Sequence, residues 1–291
     1  MRCLSGMRLP LVAAPMTQVS TPALVAAARA AGIVGAFPTS NCRTSAELDE
    51  WFDEIEATTA ALSSGPAGPL AANLIVHGSN RRLDDDLALV ARRQVDFVIT
   101  SVGSPVRVVA DLRQAGIAVV ADVASLAHAE KALAAGADGL VLLSAGAGGH
   151  TGWANPFAFA RAVRRFYDGL LVLAGGVSDG AALWAAIALG YDLGYMGTRF
   201  IATAEGGASP AWRQAVVDAR LDDITVGMSP TGVKASLLPA HGSAGHTVSG
   251  VDAVTTVRQV VDQTEREWDD ARARTSRALT QPANPPAQRP A

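Results

Sequence analysis

Short apolar runs alternate along the chain with segments whose apolar residues recur every three to four positions, and the alternation holds from Leu9 to Phe200. The first run, Leu9-Pro-Leu-Val-Ala-Ala14, stops at Pro15-Met16. A helix follows, with Ser20 or Thr21 as N-cap, Pro22 in its first turn and Gly32 closing it. Ile33 to Phe37 reads as the second strand, Pro38 to Thr44 as a polar loop and residues 45–62 as the second helix. Leu70 to Val76 and Asp96 to Thr100 are strands, with a helix over Leu83 to Arg93 between them and another from Pro105 to Gln114. Strands over Ile117 to Ala121, Gly139 to Leu143, Leu170 to Ala174 and Leu193 to Phe200 complete the set. Helices over Leu126 to Ala135, Phe157 to Phe166 and Ala181 to Leu189 separate these last four.

The runs start roughly 20–40 residues apart, which is the spacing of βα units. Right-handed crossovers between such units force a parallel sheet. Eight units fit a closed (β/α)8 TIM barrel better than an open doubly wound sheet, which wants a switch point and fewer strands. The expected fold is therefore α/β, one barrel domain over residues 1–275. Residues 204–270 are a C-terminal extension with the eighth helix and a lid segment at about 204–245. Residues 276–291, with Pro282, Pro285, Pro286 and Pro290, read as a disordered, solvated tail.

Chemistry in such a barrel gathers where strands end. That rule sets Pro15-Met16, Thr39 to Cys42, Asn73, Ser101, Asp122, His150, Gly175-Gly176 and Gly197-Thr198 around one mouth. The stretch Gly139 to Trp153 stands out, since a buried-strand pattern breaks into Gly146, Gly148, Gly149 and Gly152 around His150. Glycines let backbone approach a flat ligand, and an imidazole there can move a proton near neutral pH. Leu173 to Gly180 and Gly194 to Arg199 occupy the place where barrels hold a phosphate on backbone N–H groups, with Thr198 adding a hydroxyl. Sugar phosphates, PLP and FMN all use that position. At Ala14-Pro15-Met16 the chain loses an N–H and gains a soft apolar contact, so it can pass under a ring. Asn73, inside an apolar strand, needs partners that a ring edge or neighbouring backbone would supply.

Composition narrows the classes. With 49% apolar and 18% charged residues the chain can bury a large core, and no apolar run approaches a membrane span. Met1 to Pro10 lacks the pattern of a secretory signal. A balance of 24 basic against 27 acidic residues argues against a nucleic-acid partner. Cys3 and Cys42 make neither a disulfide framework nor a thiolate site, and five scattered histidines form no metal cluster. The expectation is a cytoplasmic enzyme of a small-molecule substrate, with no metal, and compatible with a homodimer.

The chain resembles the nitronate monooxygenases, formerly called 2-nitropropane dioxygenases, a family of FMN-dependent (β/α)8 enzymes. The resemblance rests on Ala14-Pro15-Met16, Asn73, Gly148-Gly149-His150-Thr-Gly152, Ala174-Gly175-Gly176-Val-Ser-Asp179-Gly180 and Met196-Gly197-Thr198-Arg199-Phe200. It continues through Thr231-Gly232-Val-Lys234. It implies FMN, with the phosphate at residues 175–180 and 197–198. It also implies that Ala14, Pro15, Met16 and Asn73 line the ring, that Ala147, Gly148 and Gly149 lie beside the cofactor, and that His150 is the catalytic base or places the substrate. Two departures stand out: Gly146-Ala147-Gly148 where many relatives carry an acidic residue, and Asp122 where many carry a basic one near the phosphate.

The leading expectation is oxidation of an alkyl nitronate with dioxygen to a carbonyl compound and nitrite. NAD(P)H-dependent reduction of an enoyl thioester or quinone on the same scaffold is the alternative. A non-redox phosphosugar isomerase or aldolase would want a strand lysine or carboxylate base, and the chain offers only Lys131 and Lys234. A binding barrel without catalysis would leave His150 idle. His77, His128, His241 and His246 read as surface or loop residues, and Cys42 lacks the surroundings of an activated thiolate. Tyr195 and Trp153 frame a pocket or pack in the core.

Overall fold

In the computed structural model, which describes residues 1–229 and 232–280, eight parallel strands close into a ring. They are β1 (Leu11–Ala13), β2 (Val34–Pro38), β3 (Leu70–Ile75), β4 (Phe97–Ser101), β5 (Ala118–Val123), β6 (Gly139–Leu143), β8 (Leu170–Ala174) and β9 (Leu193–Met196). The two-residue β7 (Gly149–His150) lies outside the ring. Val12 closes it, opposite Val34 on one side and Tyr195 on the other. Thr231, which helps carry the family resemblance, lies outside the described residues.

The pleat sorts each strand into two faces. Val12, Val34, Ala71, Phe97, Ile99, Val120, Val141, Val172 and Leu193 fill the interior of the ring. Val119 and Ala121, on either side of Val120, belong instead to the clusters under the helices. By the same alternation Asn73, Ser101, Asp122 and Tyr195, each two residues past an interior apolar one, point inward one layer nearer the mouth.

Between the strands run α1 (Pro22–Ala30), α2 (Ser45–Leu62), α3 (Leu83–Arg93), α4 (Val109–Gln114), α5 (Leu126–Ala134), α6 (Pro156–Val163) and α7 (Gly180–Ala188). Thr21, Thr44, Ser125, Asn155 and Asp179 cap their helices by accepting a first-turn N–H. Gly197 ends β9 before the expected strand is complete, and α8 (Thr198–Ile201) follows. The cause is packing: Phe200 and Ile201 are both fully buried in the same outer cluster. A helical turn permits that for neighbouring residues, whereas a strand would send one of them into the ring.

The extension starts with α9 (Pro210–Asp218) and continues as an antiparallel sheet of β10 (Thr225–Met228), β11 (Lys234–Leu238) and β12 (Gly242–Ser243). Its fourth strand is β7, with Ala235 opposite His150 and Ser236 opposite Gly149. The segment expected as a lid is thus tied by main-chain pairing to the histidine loop. Helix α10 (Val257–Thr280) takes the eighth-helix place against α7 and α1. Arg8 fastens it to the N-terminal segment through Asp262 at 2.7 Å and Glu265 at 2.9 Å. Residues 276–280 therefore continue a helix and are not tail, because Thr275 still bonds Trp184 Nε1 across the α7 seam. The rest of the expected tail, 281–291, lies outside the described residues. No described helix is long and apolar enough to cross a membrane.

A candidate active site at the barrel mouth

The rim is built first where β1 meets β9. Ala14 N–H donates to Met196 O at 2.9 Å, and Met16 N–H to Ser20 Oγ at 2.9 Å, so the chain turns sharply at Pro15. A methyl group at Gly197 would lie 3.5 Å from Met16 Sδ and 3.6 Å from Ala14 Cβ. Ala14, Pro15, Met16, Gly197 and Thr198 therefore share one patch. On β3, the Asn73 amide donates to Ile99 O at 3.1 Å and Ser101 Oγ at 3.2 Å. Both bonds use its NH2 group, which leaves the carbonyl oxygen for a ligand.

Three segments converge beside that patch. Gly245 N–H donates to Thr198 Oγ1 at 2.9 Å, and His246 N–H donates to Gly146 O at 3.0 Å. Gly148 is wedged between them, since a Cβ there would fall 2.7 Å from Gly245 N and 3.2 Å from Thr198 Oγ1. Ala147 is buried, and its N–H donates to Ser144 O at 3.2 Å. The Ala244-Gly245-His246 corner was not singled out from the sequence. Its glycine carries no motif there, and its task is visible only in the contact with Thr198.

The N-terminus of α7 is already satisfied by carboxylates, Asp179 accepting from Ala182 N–H at 2.7 Å and Glu267 from Gly180 N–H at 3.0 Å. Two negative groups there disfavour a third, which leaves the Gly175-Gly176 end of the expected phosphate turn as the part open to an anion. Gly175 and Gly176 have φ of +113° and +85°, and no atom lies within 4 Å of a Cβ placed on Gly176. Among the described residues nothing accepts from the N–H groups of Gly176, Gly197 or Thr198. Thr198 accepts from Gly245 yet keeps its own proton to donate. Arg199 is spent on structure, holding Ser178 O, Gly250 O and Gln263.

His150 is half-buried on β7, and no described residue is bonded to its ring. Burial lowers its pKa below the ordinary 6.5, so the imidazole is neutral at pH 7. It stands two residues, at most about 7 Å of chain, from Gly148. Asp122 lies inside β5, not after it, and its Oδ1 is buried without a partner. Tyr195 faces the same space. Burial first, and then the charge of Asp122, push its phenol well above the usual range.

Other candidates fall away. Cys42 is buried, and burial above all pushes its thiol up to about 12. His77, His128, His241, His246, Lys131 and Lys234 are exposed. Trp153 is 79% exposed and so is no part of the core. No group of His, Cys, Asp and Glu among the described residues can hold a metal ion. What remains is a shallow cradle of glycines with free N–H donors, a carboxamide oxygen, an orphaned carboxyl oxygen and one neutral imidazole. Those features fit a flat ring carrying an anionic group.

Known proteins resemble the chain over most of its length. The family model described as nitronate monooxygenase matches residues 1–241. A nitronate monooxygenase of Paraburkholderia phytofirmans is 31% identical over 252 residues, 74% of this chain and 69% of that one. An octahydro-indene carboxyl-CoA dehydrogenase of Rhodococcus jostii is 28% identical over 79% of this chain, which spans 62% of that protein's length. The structure of FabK from Thermotoga maritima superposes with a TM-score of 0.84 at 23% identity, covering 96% of this chain and 98% of that one. That likeness speaks to the fold.

Proposed function

The chain belongs to the nitronate monooxygenase family of oxidoreductases, and on that premise we propose that it binds FMN and oxidises alkyl nitronates with dioxygen to a carbonyl compound and nitrite. The observation that carries this reading is His150, a half-buried imidazole bonded to no described residue and held by main-chain pairing two residues from Gly148. FMN, when bound, supplies the electron-accepting ring.

The chain's own residues do the rest. N–H groups of Gly176, Gly197 and Thr198, with the Thr198 hydroxyl, would hold the phosphate. Ala14, Pro15 and Met16 would give the ring an apolar edge, and Asn73 would offer its carbonyl oxygen. Ala147, Gly148 and Gly149 would line the cofactor's side. A nitronate arrives as an anion that has already lost its α-proton. From a neutral nitroalkane His150 removes that proton, its basic nitrogen being free to accept it. Strand β11 pairs with the histidine strand and so fixes where His150 stands.

A second reading is an NAD(P)H-dependent flavin reductase of acyl thioesters, favoured on the substrate side by the relation to a protein named as a carboxyl-CoA dehydrogenase. An anaerobic visible spectrum separates the two. Loss of the flavin band on adding nitronate alone is the expected result. Loss on adding NAD(P)H, with nitronate inert, would establish the second reading instead. Absence of any flavin band after reconstitution with FMN would end both.

Gly176→Ala tests the cradle directly. Alanine at φ +85° costs about 1–2 kcal/mol, so the melting temperature of the free protein falls by only a few degrees. The new methyl group enters the open space that the phosphate would occupy. The FMN dissociation constant should therefore rise at least about tenfold, a loss of one charge-assisted hydrogen bond or more, as read by flavin fluorescence.

A further inference from the structure

Asp122 stands in the mouth without a task in the reaction above. Its placement follows from β5, where Val120 points into the ring and Asp122 follows it on the same face. Val141 of β6 is its register partner, and Ser101 follows Thr100, the β4 partner of Ala121. Ser101 is engaged by Asn73, and Tyr195 of β9 is the titratable neighbour. Among the described residues no lysine, arginine or histidine acts on the carboxyl, and burial pushes it up to about 7. Water reaches part of the side chain, yet Oδ1 is enclosed and makes no hydrogen bond with any described residue.

An enclosed carboxylate with neither cation nor donor is costly, and the proton is the cheapest remedy. In its neutral form the group gains an O–H that itself needs an acceptor. Tyr195, held protonated, offers a second O–H across the same space. A ligand settling here meets donors and no fixed positive charge.

We propose that Asp122 binds FMN as a neutral carboxylic acid, donating its O–H to an acceptor atom of the bound cofactor, so that one proton on Asp122 accompanies the cofactor into the site. The inference rests on the FMN reading above. The proton comes from solvent, and no bond of the cofactor is made or broken. Above neutrality, where the free protein has lost this proton, binding must take one up.

The test measures FMN binding from pH 5.5 to 8.5 for the wild type, Asp122→Asn and Asp122→Leu. The FMN phosphate itself titrates near pH 6, which affects all three proteins alike, so ratios between them isolate the carboxyl. The wild-type dissociation constant should climb relative to that of Asp122→Asn by up to about tenfold per pH unit above 7, because the amide keeps a donor at every pH. Asp122→Leu should bind more weakly than Asp122→Asn throughout. A second arm uses the free protein. A carboxyl raised in the folded state stabilises fully below its unfolded pKa near 4, and that contribution is lost as pH rises to about 7. Asp122→Asn should therefore gain melting temperature over wild type progressively from pH 4 to 7 and hold the gain beyond. Equal pH dependence of FMN binding in wild type and Asp122→Asn would overturn the proposal. Failure of all three to bind FMN at any pH would overturn the FMN reading, and this inference with it.

Discussion

His150→Ala retains its flavin and loses turnover on a neutral nitroalkane by about 10²–10⁴-fold, the usual worth of a positioned general base. The same variant loses far less on the preformed nitronate, from which the proton is already gone. The two substrates thus separate proton removal from everything else the imidazole does. Because burial lowers the His150 pKa, the wild-type rate on nitroalkane should rise with its midpoint below pH 6.5 and stay level above. Nitrite release against pH, with both substrates, reads all of this. Full activity of the variant on nitroalkane would remove His150 from the role of base.

Gly148→Ala has the next largest effect, and it acts through backbone. The new methyl carbon would lie 2.7 Å from Gly245 N and 2.9 Å from Ala244 C. Neither atom can swing aside as the end of a side chain can. If the 145–149 loop lifts, the bond from His246 N–H to Gly146 O breaks, and if the 244–246 corner retreats, the bond from Gly245 N–H to Thr198 Oγ1 breaks. Overpacking of this kind costs about 1–3 kcal/mol, and a chain of this size loses about 2–4 °C of melting temperature for each. The sharper consequence is at the cofactor, whose affinity should fall at least tenfold, since a buried hydrogen bond and its geometry are worth about 1.4 kcal/mol or more. Calorimetry and FMN titration of the variant check both. An unchanged melting temperature with unchanged affinity would mean the three segments do not meet.

How far the sequence could be read depended on where each signal came from. Gly139–Leu143, Leu170–Ala174 and the helices Ser45–Leu62 and Leu83–Arg93 have their observed bounds because the pattern, the caps and the stops all lie within the segment itself. The strand-end rule set Pro15, Met16, Asn73, Gly197 and Thr198 around one mouth, and Gly197 does lie against Met16, since a barrel gathers its strand ends whatever lies between. The end of β9 was misread because Phe200 and Ile201 are apolar in either conformation, and only the cluster they enter decides. The hairpin was not legible as strands. Val226 and Met228 of β10 are each 62% exposed, and β7 is two residues long, so its pairing comes wholly from β11. Carboxylates already occupying the first turn of α7 were hidden too, because Glu267 comes from a distant helix.

The pairing of His150 with Ala235 also sets an order of events. The ring can close once Met196 is available, whereas a strand as short as β7 has no register until the hairpin arrives from far along the chain. Closing so long a loop delays contacts that depend on it. On refolding, the far-ultraviolet signal of the barrel should recover before activity does, leaving an interval in which the protein has its shape and not yet its catalyst.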